Sequence, residues 1–427
     1  MAGRPLLMEV SIASARRGRG RRADVRAAVA AAWDTGDTVL VTGGAVRDAF
    51  LAARGGVRAG RGRRDLDIAV PSGRAAPFGA ALAVRLGSRP VAIGTPPRRI
   101  LHFPLPDGSV DLWESEAEVR RDLARRDFTV NALAFEIPSW RFLSPAGALR
   151  DLSARRLAPT RPGVLLEDPL RVLRAARLLA ELPGFRLVPA ALPELRPAAR
   201  RLGAVAAERR LAELDRLLSA APGDAAKSLR LLEGCGALSV LLRGVAPTER
   251  REGIRRVARM KKPWPAVARV FLLSPLGSRK VLEILRTWKT TRREQQLATR
   301  LLALEESLKG RARRARSWRR EVVETLRSVS PFLEESVLFL SALPGTYPAR
   351  LAESLAPLLS DSRRRTRLLR PRRPLDAVAV LRGLGVPEGP RFGALLSELD
   401  MALASGEIRG PAASRRFLAD RAAAVPR

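Results

Sequence analysis

The chain has 427 residues, enough for two or three domains with cores of their own, and its 46% hydrophobic content is that of a folded globular protein. With one cysteine, Cys235, and one histidine, His102, it excludes internal disulfides, thiolate metal clusters, zinc hydrolase sites and histidine relays. Any catalysis therefore rests on carboxylates, arginines, hydroxyls and hard metal ions. A formal charge of +35 points to a polyanionic partner, above all nucleic acid. Lysine occurs only at Lys227, Lys261, Lys262, Lys280, Lys289 and Lys309, so nearly all of the 78 basic residues are arginine. A GC-rich genome explains arginine in place of lysine, but not the excess of base over acid.

In chain order, residues 1–22 read as a disordered basic arm, ending in Arg16, Arg17, Arg19, Arg21 and Arg22. Met1 to Glu9 has no secretory-type apolar core and no stretch approaches twenty apolar residues, so a cytoplasmic protein without a membrane span is expected. Helical periodicity covers Asp24 to Trp33. A β-rich run from Thr38 to Thr42 ends in Gly43-Gly44, and Ala45 to Ala53 reads as a helix. Arg54 to Arg64 is a Gly/Arg loop. Strands are expected at Leu66–Val70, Pro90–Ile93, Arg99–Phe103, Ser109–Trp113 and Ala132–Ile137. From Asp168 onward helix follows helix, as in Leu170–Leu182, Ala206–Ala220 and Ala225–Leu232, with no convincing strand pair. The expectation is an α+β protein: an arm (1–22), an α/β head with a mixed sheet (23–150), a helical neck (151–235) and a helical body and tail (236–427).

The sharpest local feature is Gly43-Gly44-Ala45-Val46-Arg47-Asp48, followed by Asp65-Leu66-Asp67. Two glycines between a strand and a helix let backbone N–H groups approach a phosphate, although alone they are as readily a plain turn. On a strand, residues i and i+2 share a face, so Asp65 and Asp67 stand side by side. Like charges so placed repel unless a cation lies between them, and Mg²⁺ with oxygen ligands suits that arrangement. Taken alone, the pair also reads as a solvated strand end. Asp111, on a later candidate strand, can supply a third carboxylate. Arg125-Arg126-Asp127-Phe128-Thr129-Val130-Asn131-Ala132 is a dense polar cluster opening an apolar strand. Glu167-Asp168-Pro169-Leu170-Arg171 opens a helix, with Asp168 a good N-cap and Pro169 suited to the first turn. At 100° per residue, Asp168, Arg171 and Arg174 span about 120° of that helix, with Arg177 outside the arc.

In this order the motifs resemble the class II CCA-adding enzymes and bacterial poly(A) polymerases of the DNA polymerase β-like superfamily. Ala207-Glu208-Arg209-Arg210 with Glu213-Leu214 resembles the helix that closes the family's neck, so the resemblance spans roughly residues 38–220. It implies that Asp65, Asp67 and Asp111 are catalytic and hold two Mg²⁺ ions. It implies that Gly43, Gly44 and Arg47 meet the triphosphate with Arg125 or Arg126, and that Asp127 and Asn131 bind the ribose. Asp168 and Arg171 would pair with the edges of C or A, with Arg174 and Arg177 the arginines that follow. The gap between Asp48 and Asp65 is longer than usual for the family.

The implied function is addition of CMP and AMP from CTP and ATP to the 3′ end of tRNA. A poly(A) polymerase, or a partial enzyme adding only CC or only A to a tRNA or another RNA, shares the same motifs. A non-catalytic RNA-binding protein is the reading of a different class. Basic clusters at Arg286–Arg293 with Trp288, Arg311–Arg320 with Trp318, and Arg363–Arg373 are either phosphate contacts or solvated helix faces. Lys261-Lys262-Pro263 reads as a turn, and His102 and Cys235 as structural residues.

Overall fold

The alternation of apolar residues through the first 145 positions becomes a seven-stranded sheet in the computed structural model, which describes residues 19–53, 64–95, 99–106, 108–115, 119–137, 139, 141–311 and 317–424. The chain divides into two units, Met1–Gly244 and Val245–Arg427.

The first unit opens with helix α1 (Arg19–Thr35), strand β1 (Val39–Thr42) and helix α2 (Gly44–Ala53). Strand β2 (Arg64–Pro71), helix α3 (Ala75–Leu86) and strands β3 (Val91–Ile93), β4 (Ile100–Leu105) and β5 (Gly108–Ser115) follow. Helix α4 (Val119–Ala124) then leads to strands β6 (Ala134–Ile137) and β7 (Arg141–Leu143). The strand order is β3-β4-β5-β2-β1-β6-β7; β2 and β5 run parallel and every other pairing is antiparallel, the mixed sheet expected.

One sheet face carries Leu66, Ile68, Val70, Phe103, Val110 and Leu112, all buried. Helix α3 covers it so closely that a Cβ on Gly79 would lie 2.9 Å from Leu101 Cδ1. The sequence reading has no helix at 75–86, because Pro77 and Gly79 interrupt the pattern. Pro77 falls in the first turn, where its missing N–H costs nothing, and Gly79 lies against the Leu101 and Leu112 side chains. On the opposite face Leu40, Ala69, Leu123, Ala132, Ala134 and Leu143 form a core that Trp113 borders.

Of the basic arm, residues 1–18 lie outside the described residues. Arg19–Arg22 do not belong to an arm: they form the first turn of α1, since arginine is a good helix former and no proline intervenes.

Helix α5 (Ala148–Ser153) and strand β8 (Arg156–Leu157) begin the helical part, followed by α6 (Val164–Glu167) and α7 (Leu170–Glu181). Strand β9 (Arg186–Leu187) pairs in parallel with β8, a strand pair the reading did not expect because two residues carry no periodicity. Helices α8 (Leu192–Arg200), α9 (Ala207–Leu218), α10 (Pro222–Gly234) and α11 (Ala237–Leu241) complete the unit. Because α11 packs on α8 and α10, the boundary falls at 244/245 and not at 235/236.

The second unit is helical throughout its described residues, from Pro247–Ala258 to Gly410–Ala423. Its packing rests on leucine-rich clusters around Leu326 and Leu340 and around Leu381 and Leu399, and on Phe271 stacked against Phe339 at 4.4 Å. Gly253 lies against the Leu272 carbonyl, where a Cβ would come within 2.2 Å of the oxygen, so only glycine allows that helix contact.

Candidate active site

Strand register builds one row of side chains across the sheet. Ala134, Thr42, Asp67, Asp111, His102 and Val91 are successive partners on β6, β1, β2, β5, β4 and β3. Directly paired residues share a face, so all six belong to the face bordered by Trp113. Asp65 and its partner Ser109 stand two positions along on the same face, and Ser109 Oγ donates to Asp65 Oδ1 at 3.0 Å. The three predicted carboxylates are thus brought together by one parallel strand pair.

Their electrostatics are uncompensated among themselves. Burial pushes the Asp67 carboxyl up to about 6 from its ordinary 3.8; the negative charges of Asp111 and Asp65 add to the rise, while Arg126 and Arg174 oppose it. Among the described residues no three His, Cys, Asp or Glu side chains converge into a ready-made metal cluster. What fits a hard cation is the donor set: three oxygen-only carboxylates, one of them driven toward protonation by burial and by the other two.

The Gly43-Gly44 turn lies directly over this row. Gly43 has φ +79°, and a Cβ there would lie 2.7 Å from Asp67 Oδ2 and 3.4 Å from Arg126 Nη1, so both its conformation and its neighbours demand glycine. Its N–H donates to Leu133 O at 3.1 Å, and α2 begins at Gly44. Arg126 Nη2 donates to Thr42 Oγ1 at 2.8 Å, and its guanidinium lies 5.7 Å from the centre of the Trp113 ring. Of the two predicted alternatives, Arg126 reaches the carboxylates. Arg125 is exposed, and its carbonyl accepts from Arg171 Nη2 at 3.0 Å.

The buried Arg47 and Asp127 both bind the half-buried Asn131. Arg47 is 6% exposed and donates from Nη1 to Asn131 Oδ1 at 2.5 Å and from Nε to Asp48 Oδ1 at 2.9 Å. Asp127, 5% exposed, accepts from the Phe128 N–H at 2.8 Å and from Asn131 Nδ2 at 3.3 Å. The segment expected to open a strand forms a 3-10 turn at Thr129–Asn131 first, fixed by Thr129 N donating to Ala158 O and Thr160 Oγ1 donating to Arg126 O.

Helix α7 holds the remaining predicted residues. The Asp168 carboxylate accepts from the Leu170 N–H at 3.0 Å, which is the capping role expected of it, and also pairs with Arg209 at 3.4 Å. Arg171 donates to Val164 O, Arg125 O and Glu167. Arg174 bridges Asp127 at 3.3 Å and Glu213 at 3.2 Å, tying α7 to the loop below and to α9. Arg177, predicted to meet the nucleotide, is 4% exposed and paired with Glu213 and Glu181 inside the unit. It lies outside the shared arc, as the helical spacing requires.

Thr42, Ser109, His102 and Glu213 escaped the sequence reading as site residues. Parity along the strands carries a signal for Thr42 and Ser109, each two-residue steps from a motif residue. His102 lies at 2.6 Å from Asp111, a neighbour that only the β4–β5 register reveals. Cys235 is buried, as a structural residue should be. In the second unit Trp288 is 4% exposed and belongs to the core. Trp318 donates to Ser354 and carries Arg350 over its ring at 4.4 Å, so neither indole is free to stack on a base. Residues 312–316 lie outside the described residues. The helix Ser362–Leu369 has no buried residue and keeps its arginines on the surface. No helix among the described residues is long and apolar enough to cross a membrane.

Residues 92–158 match the family model of the poly A polymerase head domain. A CC-adding tRNA nucleotidyltransferase from Synechocystis is 39% identical over 184 residues, 43% of this chain and 42% of that protein. A multifunctional CCA protein from Xanthomonas campestris is 35% identical over 222 residues, 48% of this chain and 50% of its own. The chain therefore spans half or less of the length of these relatives. Among solved structures, a Thermotoga maritima CCA-adding enzyme complexed with tRNA has a TM-score of 0.67 at 19% identity, covering 97% of this chain and 98% of that one. A Bacillus stearothermophilus CCA-adding enzyme in complex with CTP has a TM-score of 0.69 at 23% identity, covering 92% and 95%. At such identities the likeness is one of fold.

Proposed function

From a chain that belongs to the CCA-adding enzyme and poly(A) polymerase family, we propose an enzyme that adds CMP and AMP, without a nucleic-acid template, to tRNA 3′ ends that lack CCA. The observation that supports it best is Asp67, half-buried between Asp65 and Asp111 beneath the Gly43 turn and Arg126.

Asp65, Asp67 and Asp111 would hold two Mg²⁺ ions in this reading. When bound, such ions lower the pKa of the attacking 3′-hydroxyl and neutralise the triphosphate. The protein's own share is positioning. Gly43 lets the turn lie against Asp67 and Arg126, and the start of α2 at Gly44 presents its first-turn N–H groups and the positive end of a helix dipole to a phosphate. Arg126, already over the carboxylates, supplies the cationic contact to the triphosphate. Asn131 turns toward the ribose under the control of Arg47 and Asp127, which act by holding it. Asp168 offers acceptors and Arg171 a fork of donors, a set that can read the pairing edges of C and A and refuse G and U. Arg174 and Arg177 fix the helix that carries this pair. The surface arginines of the second unit bind the phosphates of the RNA, and the reaction takes place in the cytoplasm.

A second reading has a specific observation behind it: the Synechocystis relative is named for CC addition alone. Transcripts ending before CCA, after one C and after both Cs separate the two when incubated with Mg²⁺ and CTP, ATP or both. Products sized to single nucleotides should stop at CCA on all three. A halt at CC with ATP present assigns the partial activity, long A tails assign a poly(A) polymerase, and no extension of any transcript rejects the enzyme reading.

A further inference from the structure

We infer that His102 is a positioning residue that orients the Asp111 carboxylate for cation binding, an inference that rests on the metal role proposed above for Asp111. It is the only imidazole in the chain, and the β4–β5 register places it opposite Asp111 with Nδ1 2.6 Å from Oδ1. The side chains are 28% and 31% exposed, so the pair stands at the open side of the site.

The choice of side chain is informative. In a chain so rich in arginine, a guanidinium at this position would occupy both oxygens of Asp111 with its fork of donors. The imidazole presents one donor from Nδ1, fixes one oxygen, stops rotation of the carboxylate and leaves Oδ2 for a ligand. Asp65 at the other end of the set is treated alike: Ser109 Oγ fixes its Oδ1 and leaves its second oxygen. Both flanking carboxylates are thus gripped on one oxygen by a single-donor neighbour. Partners of this kind that orient a ligating group typically change metal affinity 10–100-fold when removed.

The test uses the full chain, Mn²⁺ alone as probe, and electron paramagnetic resonance to count free and bound ion. An asparagine amide nitrogen reaches roughly the place of Nδ1, whereas that of glutamine reaches the place of Nε2. Thus H102N should bind Mn²⁺ within about threefold of the unaltered protein, while H102Q and H102L should weaken binding about tenfold or more. The Mg²⁺ concentration giving half-maximal CMP incorporation should shift in the same order, and thermal unfolding confirms that each variant folds. Equal Mn²⁺ binding by all three variants, or equal weakening in H102N and H102Q, overturns the inference. D67N is the control for the parent reading: if it binds Mn²⁺ as tightly as the unaltered protein, the metal site itself is wrong.

Discussion

The sheet face and helix α7 treat charge in opposite ways. On the sheet, Asp65, Asp67 and Asp111 are brought together by register, and burial, with a smaller push from the other two carboxylates, raises the proton affinity of Asp67 despite the opposition of Arg126 and Arg174. On α7, Arg174 is ion-paired with Asp127 and Glu213, and the buried Arg177 with Glu213 and Glu181. Clustered like charge is where we propose that an external cation completes the structure. Resolved charge marks a scaffold, whose loss is felt first as lost stability. On this distinction we propose that Arg47, Asp127 and Arg177 act as supports for neighbouring site residues.

The double substitution Asp65→Asn with Asp67→Asn should break the sheet side of the contrast most severely. Loss of several kcal/mol of metal assistance corresponds to about a thousandfold or greater fall in incorporation, measured by primer extension. The same protein should melt no lower than the parent, because the substitution removes a repulsion. Glu213→Ala should do the reverse. Breaking a buried pair costs about 3–5 kcal/mol, which lowers the melting temperature by roughly 10 °C, and the remaining activity should show a raised KM for CTP. A fall in activity with unchanged melting would contradict the division drawn here.

Arg126→Ala sits between these cases, since its guanidinium serves both Thr42 and the carboxylate field. Loss of a charged hydrogen bond to the triphosphate is worth about 1.5–3 kcal/mol, a KM for CTP and ATP raised about 10–100-fold in initial-rate measurements. The smallest effect concerns pH. Asp67 binds its proton more tightly folded, near 6, than unfolded, near 3.8, so its protonation favours folding. Stability should therefore decline with rising pH between about 4 and 6 in metal-free buffer, by roughly 1 kcal/mol after allowance for solvent screening. Denaturant titrations should show this decline in the parent and not in Asp67→Asn, and saturating Mg²⁺ should abolish the difference.

Much of this was legible in the sequence where spacing alone decides geometry. The i and i+2 relation of Asp65 and Asp67, the double glycine, the strands from Val39 to Ile137 and the arc of Asp168, Arg171 and Arg174 all follow from local periodicity. What escaped depends on pairing between distant segments. His102 meets Asp111 through an antiparallel register, and Glu213 joins Arg174 from another helix, neither encoded at a fixed offset. Helix α3 was hidden because Pro77 and Gly79 look like breakers until the sheet beneath them is known. The burial of Arg47, Asp127 and Arg177 likewise depends on distant segments, and Trp288 and Trp318 show that an aromatic beside arginines is not thereby a stacking platform.

The parallel pairing of β2 with β5, the one parallel pair within the seven-stranded sheet, also governs when the carboxylates can meet. Parallel strands need a crossover, so Asp65 and Ser109, 44 positions apart, cannot meet until α3, β3 and β4 have emerged between them. During synthesis at about 5–20 residues per second, the nascent chain carries Asp65 and Asp67 for seconds before Asp111 exists to oppose them. The repulsive cluster is consequently absent until β5 has been made, while the pairing of β1 with β6, Thr42 opposite Ala134, spans a still longer stretch of chain.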